Sequence, residues 1–239
     1  MRYKRVLLKL SGEALAGRKE HGIYDPKVLA AILNFVKSFR HHQKWDIGIV
    51  IGAGNIWRGK NAQVLGLDPA AADYMGMTAT FLNSLALKDY FVQNDLPAVV
   101  LNSFAVEGLA EKTSPELAKK HLDQGEIVIF GGGTGKPFFT TDTGAALRAI
   151  DIDADLIIFV KDGVDALYTK DPRKHKDAQK ITEASYQDLI DIKIEAMDLS
   201  ALEILKKTNI TTFVIGMDEV LNFGPLEEHI EIGTIITKR

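Results

Sequence analysis

Short runs of β-branched and aliphatic residues recur along the chain at 6–10, 46–51, 98–101, 127–130, 156–160 and 211–215, each too short for a helix. Runs of this kind predict strands buried on both faces. Between them lie segments with helical spacing. Within 26–39, Val28, Ile32, Phe35 and Phe39 fall on one face, Asp25 stands at the N-cap position and Pro26 at the first helical position. Ser114-Pro115 opens a second such segment, and Asp198 precedes a third over 199–207. Strands alternating with helices require crossover connections. The pattern therefore predicts an α/β fold, a three-layer α/β/α sandwich with a central mostly parallel sheet, built as a single domain over 1–239. In such sheets ligands bind beyond the carboxyl ends of the strands.

One predicted helix, over 70–92, departs from the amphipathic pattern, because Met75, Met77, Phe81, Leu82, Leu85 and Ala86 leave little of its centre polar. A helix apolar nearly all round is covered on more than one side. It is either a central core helix or a subunit interface. The segment 166–180, rich in Lys and Arg around Asp171-Pro172, reads as an exposed excursion rather than a domain boundary.

Composition narrows the chemistry. A net charge of −3 provides no overall basic field, so nucleic acid is not an expected partner and any phosphate has to be met locally. Cys is absent, which excludes disulfides and thiolate chemistry. Lys9 interrupts the apolar start Val6-Leu7-Leu8, and no apolar run approaches the roughly 18 residues that span a bilayer, so no membrane association and a cytoplasmic location are expected.

Three strands run directly into glycine-rich turns: Lys9-Leu10-Ser11-Gly12, Gly52-Ala53-Gly54-Asn55 and Gly131-Gly132-Gly133-Thr134-Gly135. Glycine lets backbone N–H groups approach an anion closely. Any one of these turns is equally explained as a tight connection. Neither Gly52 to Trp57 nor Gly131 to Lys136 carries the third glycine of the dinucleotide fingerprint, and Pro137 after Gly135-Lys136 breaks the Walker A pattern. What remains is several phosphate-type loops on successive strands, with Lys9, Ser11, Asn55, Arg58, Thr134, Thr140, Thr141 and Asp142 as positioned polar residues. Lys9 and Arg58 are either phosphate ligands or solvated cations. Asp142 is placed to cap a helix over the following Thr143-Gly144-Ala145 stretch.

These loops, with Lys9-Leu10-Ser11-Gly12-Glu13-Ala14-Leu15, Asp73-Tyr74-Met75-Gly76-Met77, Gly135-Lys136-Pro137-Phe138-Phe139-Thr140-Thr141-Asp142 and Tyr168-Thr169-Lys170-Asp171-Pro172, resemble the amino acid kinase superfamily, and in detail its bacterial UMP kinase branch. The resemblance implies transfer of the γ-phosphoryl group of ATP to UMP. On that basis Lys9, Leu10, Ser11, Gly12, Gly54 and Arg58 are expected at the ATP phosphates, and Asp162, Tyr168 and Asp171 around adenosine. Ala53, Asp73, Thr134, Gly135, Lys136, Pro137, Phe138, Phe139, Thr140 and Thr141 are expected at UMP. Lys9, Asp142 and Arg58 form the implied catalytic set, with Asp142 orienting Lys9, and Lys161 is a further ATP contact. Mg²⁺ is expected to arrive with the nucleotide rather than in a protein metal site. Ala53, Asp162 and Lys136 depart from the residues usual in the family, Gly, Asn and Asn. The resemblance further implies a homohexamer, GTP activation through the stretch at Arg18, Lys19 and His21, and UTP inhibition. Alternative readings are an acetylglutamate or carbamate kinase, or a non-catalytic nucleotide-binding storage or sensor protein.

Overall fold

In the computed structural model, which describes residues 4–17, 22–221 and 233–238, each of the six predicted apolar runs is a strand. The strands are β1 (Arg5–Leu10), β2 (Asp46–Ile51), β3 (Ala98–Asn102), β4 (Glu111–Lys112), β5 (Ile127–Gly131), β6 (Leu156–Lys161), β7 (Leu167–Tyr168), β8 (Lys180–Ile181), β9 (Glu183–Ser185), β10 (Thr211–Gly216) and β11 (Thr234–Thr237). The helices are α1 (Gly12–Leu15), α2 (Pro26–Ser38), α3 (Gly59–Leu65), α4 (Pro69–Gln93), α5 (Pro115–Asp123), α6 (Thr141–Asp151), α7 (Tyr186–Asp191), α8 (Leu199–Leu205) and α9 (Met217–Leu221). The stretch at Arg18, Lys19 and His21 lies outside the described residues.

Among the described residues the main sheet runs β4-β3-β5-β2-β1-β6-β10-β11-β9, and every neighbouring pair is parallel except β10 with β11. Helices cover both faces, giving the predicted three layers. The chain order reverses beside β1, which lies between β2 and β6. This is the switch point at which open α/β sheets form a crevice.

Alternation along the strands decides what each helix buries. Val6, Leu8 and Leu10 join Ile32 and Phe35 of α2 and Phe81, Leu87 and Phe91 of α4 in one core. Leu7, Phe130, Ile157 and Phe159 join the other, under Ala145, Ala146 and Ala149 of α6 and Leu202 and Leu205 of α8. The small residues of α6 let its backbone approach the sheet closely. The same alternation puts Lys9 on the face of Leu7, and Lys161 on the face of Ile157 and Phe159. Both lysines therefore emerge on the α6 side, at the carboxyl ends of adjacent strands.

The predicted caps form where short polar side chains meet the first free N–H groups: Asp25 accepts from Lys27, Ser114 from Leu117, and Asp198 from Ser200. Asp142 is a correction. The N-cap of α6 is Thr140, whose hydroxyl accepts from the Thr143 N–H, while Asp142 lies inside the first turn and turns toward the sheet. The 166–180 excursion is largely exposed as expected, although β7 and β8 pair within it and Leu167 is buried. α4 fits the core-helix reading of the sequence in burying Phe81, Leu87 and Phe91, and it leaves Tyr74, Met75 and Leu82 exposed.

The tips of β1 and β2 touch through backbone. A methyl group on Gly12 would lie 2.3 Å from the Gly52 carbonyl oxygen and 2.7 Å from the Ala53 nitrogen, so only glycine fits between the two loops. Gly12→Ala should force these tips apart, lowering stability by about 1–3 kcal/mol, the range for overpacking. Urea denaturation measures that loss, and turnover should fall with it.

Candidate active site

Asp142, nine-tenths buried in the first turn of α6, accepts from Lys9 Nζ at 2.9 Å through Oδ1 and from Lys161 Nζ at 3.1 Å through Oδ2. Burial by itself would raise the pKa of this carboxyl. The two ammonium groups outweigh burial and bring it down from 3.8 to about 2. Burial also lowers the pKa of Lys161, partly offset by the attraction of Asp142 and reinforced by the repulsion of Lys9. Two cations share one anion, leaving the cluster with an excess positive charge at the strand tips.

A cavity of about 320 Å³ opens on one side of this cluster. Of the residues expected at UMP, Ala53, Asp73, Thr134, Lys136, Phe139, Thr140 and Thr141 line it, together with Gly54. Gly135, Pro137 and Phe138 belong to the same loop without being among its lining residues. The Asp73 carboxylate accepts the Phe138 N–H at 2.7 Å, tying α4 to that loop. A second cavity of about 660 Å³ is lined by Asp162, Tyr168 and Asp171, the residues expected around adenosine, and by Lys161, the further expected ATP contact. The charged cluster is linked to both, since Thr141, next to Asp142, lines the first and Lys161 lines the second.

In the second cavity the Tyr168 hydroxyl donates to Asp165 at 2.8 Å, which raises its pKa. Asp171 accepts from the Arg173 backbone and guanidinium at 3.0 Å, and this bonding holds its carboxyl at about 2. The side chain of Leu10 is in the core, so only its backbone faces the site. Ser11 precedes α1 without its hydroxyl capping that helix. Arg58 is not among the lining residues of either cavity: it meets Glu13 at 3.0 Å and the Gly54 carbonyl at 3.1 Å.

The glycine loops are held from α4 by two residues that sequence reasoning missed. Asn83, fully buried, donates to the Gly52 carbonyl at 2.7 Å and to Asn55 at 2.8 Å. Thr80, one turn earlier on the same face, accepts the Gly132 N–H at 3.0 Å. The signal was present, since a polar residue inside an apolar helix has to find a partner. The Gly132 turn has φ of 74°, and a methyl group there would lie 2.6 Å from Asn102 Oδ1. Ser103 donates to the Gly133 carbonyl at 2.6 Å and accepts from Arg148, bracing the loop from the other side.

Comparison with known proteins agrees with this geometry. The amino acid kinase family model matches residues 4–216. A curated relative, the uridylate kinase of Limosilactobacillus reuteri (strain DSM 20016), is 42% identical over 236 residues, 99% of this chain and 98% of its own. The solved UMP kinase of Bacillus anthracis superposes with a TM-score of 0.91 at 36% identity, covering 100% of this chain and 97% of that one. That of Ureaplasma parvum gives 0.91 at 31%, covering 100% of both chains. With its predicted strands, its paired cavities and a family match over most of its length, the chain belongs to the amino acid kinase family.

Proposed function

We propose that this chain is a UMP kinase, transferring the γ-phosphoryl group of ATP to UMP to give ADP and UDP in pyrimidine nucleotide biosynthesis. The observation that carries the reading is the Lys9–Asp142–Lys161 cluster, in which Lys161 lines the cavity of the residues expected at adenosine and Thr141, next to Asp142, lines the cavity of those expected at UMP. The acceptor is a phosphomonoester, largely dianionic at neutral pH because its second pKa is near 6, so it attacks without a general base. Asp142 is unsuited to be one, since both its oxygens are occupied by ammonium groups and its pKa is about 2. Its role is to fix Lys9 and Lys161. Their excess positive charge and the loop N–H groups then offset the repulsion between donor and acceptor and stabilise charge on the transferring group.

Mg²⁺ fits as an ion carried by the nucleotide. Mg²⁺ commonly binds through substrate phosphates with waters retained. Each Asp142 oxygen keeps a further lone pair beside its lysine, which would accept a hydrogen bond from such a water. When bound, the ion supplies further neutralisation of the phosphates.

The enzyme works in the cytoplasm; separately, no helix among the described residues is long and apolar enough to cross a membrane. It acts as a single domain over 1–239 and associates toward a homohexamer, with GTP as activator and UTP as inhibitor. The exposed apolar face of α4 supports the self-association, since Tyr74, Met75 and Leu82 line a groove there with Ile56 and Trp57.

An assay of ADP release with UMP, CMP, acetylglutamate and carbamate offered separately tests the activity. Release with UMP supports it, and release only with a carboxylate or carbamate acceptor, or with none, refutes it. Lys9→Ala should lower kcat by about 100- to 1,000-fold, the loss typical of removing one charge-stabilising group, with little change in KM for UMP. Equal changes in both constants would contradict that role. Tyr168→Ala should raise KM for ATP alone, since stacking on an aromatic ring contributes about 1–3 kcal/mol per base.

The pH dependence follows from the sign of the Asp142 shift. Its folded-state pKa is depressed, so its contribution is fully present above the ordinary carboxylate range and is lost only as pH falls toward 2. The acid limb of kcat/KM for UMP should therefore follow the acceptor phosphate near pH 6. Asp142→Asn should lower the rate without moving that limb, as a pH–rate profile of both forms would reveal.

A further inference from the structure

We infer that Glu13 is a positioning residue that serves as the resting counter-ion of Arg58 and must release it when a nucleotide phosphate binds. This rests on the proposed role of Arg58 at the ATP phosphates. Trp57 and Gly59, on either side of Arg58, line the first cavity, whereas the Arg58 guanidinium is drawn to Glu13 Oε1 at 3.0 Å. Its Nε donates to the Gly54 carbonyl at 3.1 Å. The loop is shaped to admit the acid. A methyl group on Gly54 would lie 2.4 Å from Glu13 Cγ and 2.9 Å from Oε1, so the carboxylate rests over bare backbone at a position expected to face phosphate.

A carboxylate beside a phosphate loop repels the ligand, so its presence there calls for a compensating role. The two side chains are 43% and 38% exposed. An ion pair so open to water is weak. A phosphate presents several charged oxygens to the guanidinium fork and forms stronger, charge-assisted hydrogen bonds. The exchange of Glu13 for phosphate is thus favourable, but the nucleotide binds more weakly by whatever the resting pair contributes. Glu13 keeps Arg58 ordered between turnovers and moderates the hold on the phosphates, which speeds release of the charged product. No bond is made or broken in this exchange.

Calorimetric titration of the full chain with a non-hydrolysable ATP analogue and Mg²⁺ tests the inference on Glu13→Gln, Arg58→Ala and the double variant. Glutamine keeps the shape and removes the competing charge, so Glu13→Gln should bind the analogue up to about fivefold more tightly, equivalent to about 1 kcal/mol, the upper value of an exposed pair. Arg58→Ala should bind it more weakly, and Glu13→Gln should tighten binding less in the Arg58→Ala background than on its own, because releasing Arg58 is the larger part of its effect. Thermal melting of each variant confirms that it is folded. Weaker binding by Glu13→Gln would overturn the inference by showing that Glu13 orients Arg58 in the bound state. Unchanged binding by Glu13→Gln alongside weakened Arg58→Ala would overturn it while leaving the role of Arg58 intact. Unchanged binding by Arg58→Ala would overturn that role, and the inference with it.

Discussion

The site depends on one electrostatic constraint: a single buried carboxylate, Asp142, is shared by two ammonium groups. Removing charges from water costs several kcal/mol per ion unless each finds a partner. Here the pairing is deliberately incomplete in charge, with two positives to one negative, so the cluster offers an anion a favourable place. The sheet makes this possible. Lys9 and Lys161 emerge on the same face of neighbouring parallel strands, and the alanine-rich α6 comes close enough to present Asp142 between them.

α4 supplies the second requirement, holding the loops that flank the cluster. Its inner face carries not only Phe81 and Leu87 but also Thr80 and Asn83, whose hydrogen bonds reach the Gly132 and Gly52 turns respectively. Those turns lie on different strands, so one rigid helix sets the relation between them. Its outer face is apolar and exposed at Tyr74, Met75 and Leu82. Anything that covers that outer face loads the same helix that fixes the loops.

Much of this was legible in the sequence, because strongly apolar runs, caps and glycine turns are local signals. The six long strands and the starts of α2, α5 and α8 follow from such signals. β4, β7, β8 and β9 did not, since two or three residues are too few to establish a period and their pairing is decided by tertiary contacts. Asp142 as a cap was a reasonable local reading overruled by a distant pair of lysines. Lys161 was within reach, as the alternation Ile157, Phe159, Lys161 carries it to the face of Lys9. The Glu13–Arg58 pairing was not, because it depends on how two loops from different strands come to rest against each other.

The contact between Gly12 and the Gly52 carbonyl has a consequence for precision. Where two loops are separated by side chains, their spacing varies with rotamer and with thermal motion. Here main chain meets main chain, with no rotatable bond in between, so the gap between the loops is set by covalent dimensions and van der Waals radii. The two loops behave as one machined part, whose spacing is fixed before any ligand arrives.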